Sequence, residues 1–234
     1  MTEKIKNLLE NSGLPGPRGN LGLMYSFAKN ASLDDFNECL LYYKDDLHNS
    51  PEEFVVMCGI VGLCIYNKNN IESIITYLRK LSSHKSWRLR EAVAMGLQEI
   101  GVYNINYVLT NLKPWISGND LEKRAIVAAL CEPKLLKDKN VALEVLLILF
   151  EITMNFKNIN CKLSDNQKSL QKTLGYGWSV AIVNHSVEGK KLFEELLTYE
   201  NRHIKWIVNE NLKKKRLQVM DKNWVDNLQL LIKE

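Results

Sequence analysis

Two segments of the chain can be laid over one another at an offset of 33 residues, "WRLREAVAMGL" (87–97) above "DLEKRAIVAAL" (120–130). The alignment sets Arg90 against Lys123, Ala92 against Ala125, Val93 against Ile126 and Leu97 against Leu130. A third segment, "RHIKWIVNENL" (202–212), places Lys205, Ile207, Val208 and Leu212 at the same steps. Each is preceded by another helix-patterned segment. A helix pair that recurs every ~30–45 residues predicts an α-solenoid, in which stacked neighbours bury the apolar faces that one repeat cannot bury alone.

The local pattern agrees with this reading. In "IESIITYLRKL" the residues Ile71, Ile74, Ile75, Leu78 and Leu81 trace one helical face, and no stretch of comparable length alternates with the period of a strand. The sequence predicts opening helices within 1–30 (2–11 and 20–30) and helix pairs at 33–66, 70–101, 104–131, 139–185 and 188–214, so that the repeats span 33–214. A closing helix follows at 221–233, and the whole of 1–234 reads as one repeat domain. Punctuation supports the cuts. Ser50 precedes Pro51 and two glutamates, Gly101 is placed to end a helix, "PWISGND" is rich in turn formers, and "SDNQ" at 164–167 has capping-box spacing.

The stretch "LPGPRGNLGL" (14–23) tests this punctuation, since its glycines, prolines and arginine would also suit a phosphate-binding loop. Pro15 and Pro17 hold the residues before them extended, and Asn20 is a good N-cap for a helix striped by Leu21, Met24, Tyr25 and Ala28. It reads as a stiffened connector. Arg18, beside the N-terminus of that helix, gives it a second reading as an anion site.

The charge excess is modest: 31 Lys and Arg against 27 Asp and Glu, for a net charge of +4. Such a balance is compatible with nucleic acid without demanding it. Cys39, Cys58, Cys64, Cys131 and Cys161 contain no CxxC pair and read as reduced thiols, most of them in apolar runs. The start, "MTEKIKNLLENSG", lacks a signal-peptide core, and "VALEVLLILFEITM" carries two glutamates and is too short to cross a bilayer. A cytoplasmic protein without membrane contact is expected.

No standard catalytic pattern is present. His48, His84, His185 and His203 lack metal-ligand spacing, and neither a HExxH, a GxSxG nor a Walker sequence occurs. "LGYGWS" holds a Gly-x-Gly but falls in a helical region after no strand, so its glycines read as close-packing or kink positions. No metal, no cofactor and no catalytic residue are predicted.

Binding residues are easier to nominate. On the helix from Trp87, the residues Leu89, Ala92, Val93, Gly96, Leu97 and Ile100 form the packing face, with Arg88 opposite and Arg90 on the flank. Arg90 suits either a carboxylate or carbonyl of a neighbouring repeat or a phosphate. Trp206 stands among Arg202, His203, Lys205 and the run Lys213, Lys214, Lys215 and Arg216, an aromatic flanked by cations as in nucleic-acid sites. Trp115, Trp178 and Trp224 read chiefly as packing residues.

The segment "SSHKSWRLREAVAMGLQEIG" resembles a HEAT-like repeat whose second helix opens with Trp-x-x-Arg, here Trp87 and Arg90. Within that superfamily it is similar to the DNA alkylation repair branch, the AlkD-like proteins, most closely over about residues 70–131. The resemblance implies a right-handed all-α solenoid (an α-α superhelix) whose concave basic face holds duplex DNA, with an aspartate and aromatics beside the lesion. One repeat upstream, where that aspartate belongs, the chain reads "NSPEEFVVMCG". No residue is carried over as catalytic.

The sequence therefore predicts a binding protein, with two rival partners. A protein partner would use the groove between repeats. Duplex DNA, alkylated or not, would use Arg18, Arg88, Arg90, Lys123, Arg124, Lys205, Lys213, Lys214, Lys215 and Arg216 on phosphates, with Trp87 and Trp206 as aromatic contacts; an active glycosylase is the third option.

Overall fold

The computed structural model describes residues 1–232, and its regular structure is helical throughout those residues. The closing helix predicted over 221–233 has its last position outside them. The chain divides into two compact units, Met1–Leu112 and Lys113–Glu234.

The first unit holds α1 (Glu3–Glu10), α2 (Leu21–Asn30), α3 (Leu33–Leu40), α4 (Pro51–Tyr66), α5 (Glu72–Ser82) and α6 (Trp87–Tyr103), with the start of α7 (Ile105–Ile116). Its centre is α4, which packs against α1, α2, α3 and α6. The residues from Glu53 to Cys64 are all buried, which explains why this stretch is apolar all round and not amphipathic. Close approach needs small residues: a Cβ on Gly59 would lie 2.8 Å from Cys39 Cβ, and one on Gly62 would overlap the Phe36 ring.

The second unit holds α8 (Asp120–Leu130), α9 (Lys139–Met154), α10 (Asp165–Ile182), α11 (Ser186–Glu195), α12 (Arg202–Leu212), α13 (Lys215–Met220) and α14 (Lys222–Leu231). Here α10 is central, in contact with α8, α9, α11 and α12. The "LGYGWS" glycines serve that packing. A Cβ on Gly177 would come within 2.8 Å of Val127 Cγ1, and one on Gly175 within 3.1 Å of the Trp206 ring.

Helix starts follow the sequence closely. The side chains of Ser50, Ser86, Asn119, Ser164 and Asn201 cap α4, α6, α8, α10 and α12, and Ser164 with Gln167 forms a capping box. Asn20 caps α2 through Leu23 N. Helix ends differ more. Gly101 is buried inside α6, which continues until Asn104 caps it, and α7 runs through Pro114 before turning.

The basic run at 213–216 departs from expectation as well. It straddles the junction of α12 and α13, with Lys213 ending one helix and Lys214 preceding the next. Nothing in Lys or Arg breaks a helix. The break lets Leu217 become fully buried, so packing overrides the local preference.

Candidate binding surfaces

Arg88 is where the first unit departs most from a helical-wheel reading. Rather than facing solvent opposite the packing side, it is 5 % exposed, and its guanidinium meets fully buried Glu53 of α4. Nη1 donates to Glu53 Oε2 at 3.2 Å, while Nη2 donates to the Gly16 carbonyl at 2.7 Å. Glu53 also accepts from Ser86 Oγ–H and, at 2.9 Å, from Asn49 N–H. Of the carboxylate's other donors, Ser86 lies at the head of α6 beside Arg88, and Asn49 lies in the connector before α4.

The arrangement answers the question posed by "LPGPRGNLGL". Gly16 donates to Asn49 Oδ1 at 3.0 Å and accepts from Arg88, so the segment is tied down as a connector, and Arg18 projects into solvent. Glu53 was missed because the search along "NSPEEFVVMCG" was for an aspartate. The signal that would have found it is the arginine pair at the head of α6, Arg88 and Arg90: a guanidinium buried there requires a buried anion.

Histidine 84 completes this cluster. Its Nδ1 accepts from Ser86 N–H at 2.9 Å, and its ring meets Tyr43 edge-on at 5.4 Å. Burial holds the imidazole below the usual histidine range. Arg90 closes the α5–α6 connector, donating to the carbonyls of His84 at 2.6 Å and Lys85 at 2.8 Å. These carbonyls lie in the connector just ahead of its own helix. Trp87 is half exposed, with the Arg88 guanidinium 4.7 Å from its ring centroid.

In the second unit Lys123 is 9 % exposed and donates to Asn155 at 3.0 Å. Arg124 is half-buried and engaged. Lys205 pairs with Glu200 at 2.8 Å, and Lys213 pairs with Glu210. Lys214, Lys215 and Arg216 have no ionic partner among the described residues, and the last two are exposed. Of the tryptophans, Trp115 and Trp178 are buried, the latter donating to Thr153 at 3.1 Å. Trp224 is half-buried and donates to Glu194 at 2.6 Å. Trp206 leans on Gly175 and keeps about a third of its surface in solvent, 36 %.

Lys215 and Arg216 border a shallow groove of about 580 Å³ whose other walls are Val183, at the C-cap of α10, and Val219 and Met220 of α13. Val219 is 76 % exposed, and few aliphatic side chains here are more so. Apolar walls beside unpaired cations make a surface able to hold an apolar side chain next to an anion.

Among the described residues no group of His, Cys, Asp or Glu is placed to hold a metal ion, and no helix is long and apolar enough to cross a membrane. Cys39, Cys58, Cys64 and Cys131 are buried, and burial pushes the Cys39 thiol up to about 12 and raises the other three as well, leaving them protonated and unreactive. No protein-family model, no curated protein and no solved structure matches the chain.

Proposed function

We propose that the chain is a right-handed solenoid of HEAT-like helix pairs that acts as a scaffold for a protein partner, not as a standard enzyme. The solenoid reading is supported by the capping residue that recurs at the head of each second helix, from Ser50 to Asn201. The single observation that carries the scaffold reading is the α10–α13 groove, where Val183, Val219 and Met220 lie beside unpaired Lys215 and Arg216. Its occupant is an acidic segment that also carries an aliphatic side chain. The most buried arginine works against a glycosylase-like site: Glu53, the buried one of the two glutamates in the region the resemblance points to, already accepts three hydrogen bonds and has no water-facing surface.

Duplex DNA is the second reading, favoured by Trp206, which is partly exposed on α12 and followed by the 213–216 run. Fluorescence anisotropy separates the two. A labelled Glu- and Leu-rich peptide should bind saturably and lose affinity in Val219→Asp and in Arg216→Glu. Undamaged or alkylated duplex that binds instead, weakens steeply with salt and tolerates Val219→Asp, would transfer the assignment to DNA. If neither probe binds at low salt, the groove is not a binding surface.

A further inference from the structure

A second basic concavity lies elsewhere in the Lys113–Glu234 unit, where the first turns of α10 and α12 line one hollow of about 340 Å³. Its walls are Lys162, Leu163 and Lys168 on one side and Arg202 and His203 on the other, with Gln171 between them. We propose that it binds a small dianionic phosphate, as the free ion or as a monoester on a small molecule.

Three cations meet there, and two of them have capacity to spare. Arg202 Nη2 donates to the Asn160 carbonyl at 3.2 Å, and Nη1 has no acceptor among the described residues. Lys162 is exposed and makes no hydrogen bond or ion pair among the described residues, although it adds to the field at Asp165. Lys168 is engaged, 2.8 Å from Asp165, but that carboxylate is 97 % exposed. So open an ion pair contributes little, and a doubly charged ligand can displace it.

The floor is built rather than fluid. Gln171 and His203 are both more than nine-tenths buried, and Gln171 Nε2 donates to the His203 carbonyl at 3.1 Å. His203 Nε2 lies 3.0 Å from the Cys161 carbonyl, and Asn201 donates to the carbonyls of Lys157 at 3.2 Å and Ile159 at 3.0 Å. These bonds fix the 157–161 connector against α12, so Lys162 and Arg202 are presented at a set distance from each other. The N-terminal turns of α10 and α12 both border the hollow, so the positive ends of their dipoles add to the field of the side chains. Volume selects for size. A hollow of about 340 Å³ is in the lower range of small-molecule sites, and three positive side chains against one exposed carboxylate favour a dianion over a monoanion.

Isothermal titration calorimetry of the full chain tests this, with ionic strength held constant by chloride and inorganic phosphate and O-phosphoserine as separate probes. Saturable binding of at least one is expected, the tighter of the two telling free ion from monoester. Arg202→Ala and Lys162→Ala should each weaken it about tenfold, the loss of one charge-assisted contact. Asp165→Asn removes the competing carboxylate and should tighten it, while Lys29→Ala, on α2, should leave it unchanged. Arg202→Lys guards against a fold defect, because it keeps the charge and should retain part of the affinity. Absence of saturable heat with both probes overturns the proposal, as does equal loss in Lys29→Ala. Binding of duplex DNA that depends on Lys162 when neither small phosphate binds would overturn it too.

Discussion

The two units fasten their central helices with different chemistry. In Met1–Leu112 the cross-link between α4 and α6 is ionic, Glu53 to Arg88, and it is out of water on both sides. In Lys113–Glu234 the links into α10 are neutral. Asn211 of α12 accepts from Ser179 N–H at 2.9 Å and donates to the Leu174 carbonyl at 2.8 Å, Gln171 reaches back to His203, and Trp178 reaches Thr153 of α9. The contrast teaches where charge is free to act. The first unit commits its central arginine to its own core, whereas the second closes its core with amides and keeps Lys215 and Arg216 on its surface.

The largest effect should come from breaking the ionic link. Glu53→Ala leaves Arg88 buried without its anion and should cost about 3–5 kcal/mol in urea unfolding. Pairing Glu53→Leu with Arg88→Met should restore most of that loss, since the pair's own desolvation disappears with it. A double variant as unstable as the single one would mean that the Gly16 and Asn49 contacts, not the ion pair, hold the first unit together.

Next in size is the neutral counterpart. Asn211 is fully buried, and Asn211→Ala removes its bonds to α10 along with one to the Ile207 carbonyl, for a loss of about 2 kcal/mol. Salt sharpens the comparison. Neither variant's loss should change with ionic strength, because both links are out of reach of screening ions, whereas Lys205→Ala, which breaks an exposed pair with Glu200, should alter stability by less than about 1 kcal/mol.

The smallest effect is one of pH and belongs to the first unit alone. Burial keeps the folded-state pKa of His84 below that of the unfolded chain, so as pH falls through the ordinary histidine value of about 6.5 the unfolded state takes up a proton that the folded state refuses. Stability therefore declines from pH 7 toward pH 5. His84→Asn, which keeps an acceptor for Ser86 N–H but cannot titrate, should flatten that part of the curve. An unchanged slope would assign it to other groups.

Much of the helical frame was legible in the residues themselves. Ser50 before Pro51, Asn20 before its striped helix and Ser164 with Gln167 announce helix starts because capping is a local transaction between a side chain and amides two or three positions on. The close-packed Gly175 and Gly177 were legible for a similar reason, as glycines inside a helical run need a neighbour to explain them. The binding surfaces were only partly legible. The run at 213–216 was visible as charge, but not that a helix junction divides it, nor that Val183 and Val219 would meet beside it. The phosphate-sized hollow was not visible at all, since Lys162 and Arg202 are separated by the whole of α10 and α11.

Helix content and helix starts were thus determined by the sequence alone, because each depends on residues within a turn or two of one another. Which charges face water was decided by the tertiary structure. Arg88 and Arg90 are two residues apart on the same first turn, yet one is sealed against Glu53 and the other closes its own connector. Burial of a charge depends on whether a partner from a distant segment arrives to neutralise it, and that is a property of packing rather than of pattern.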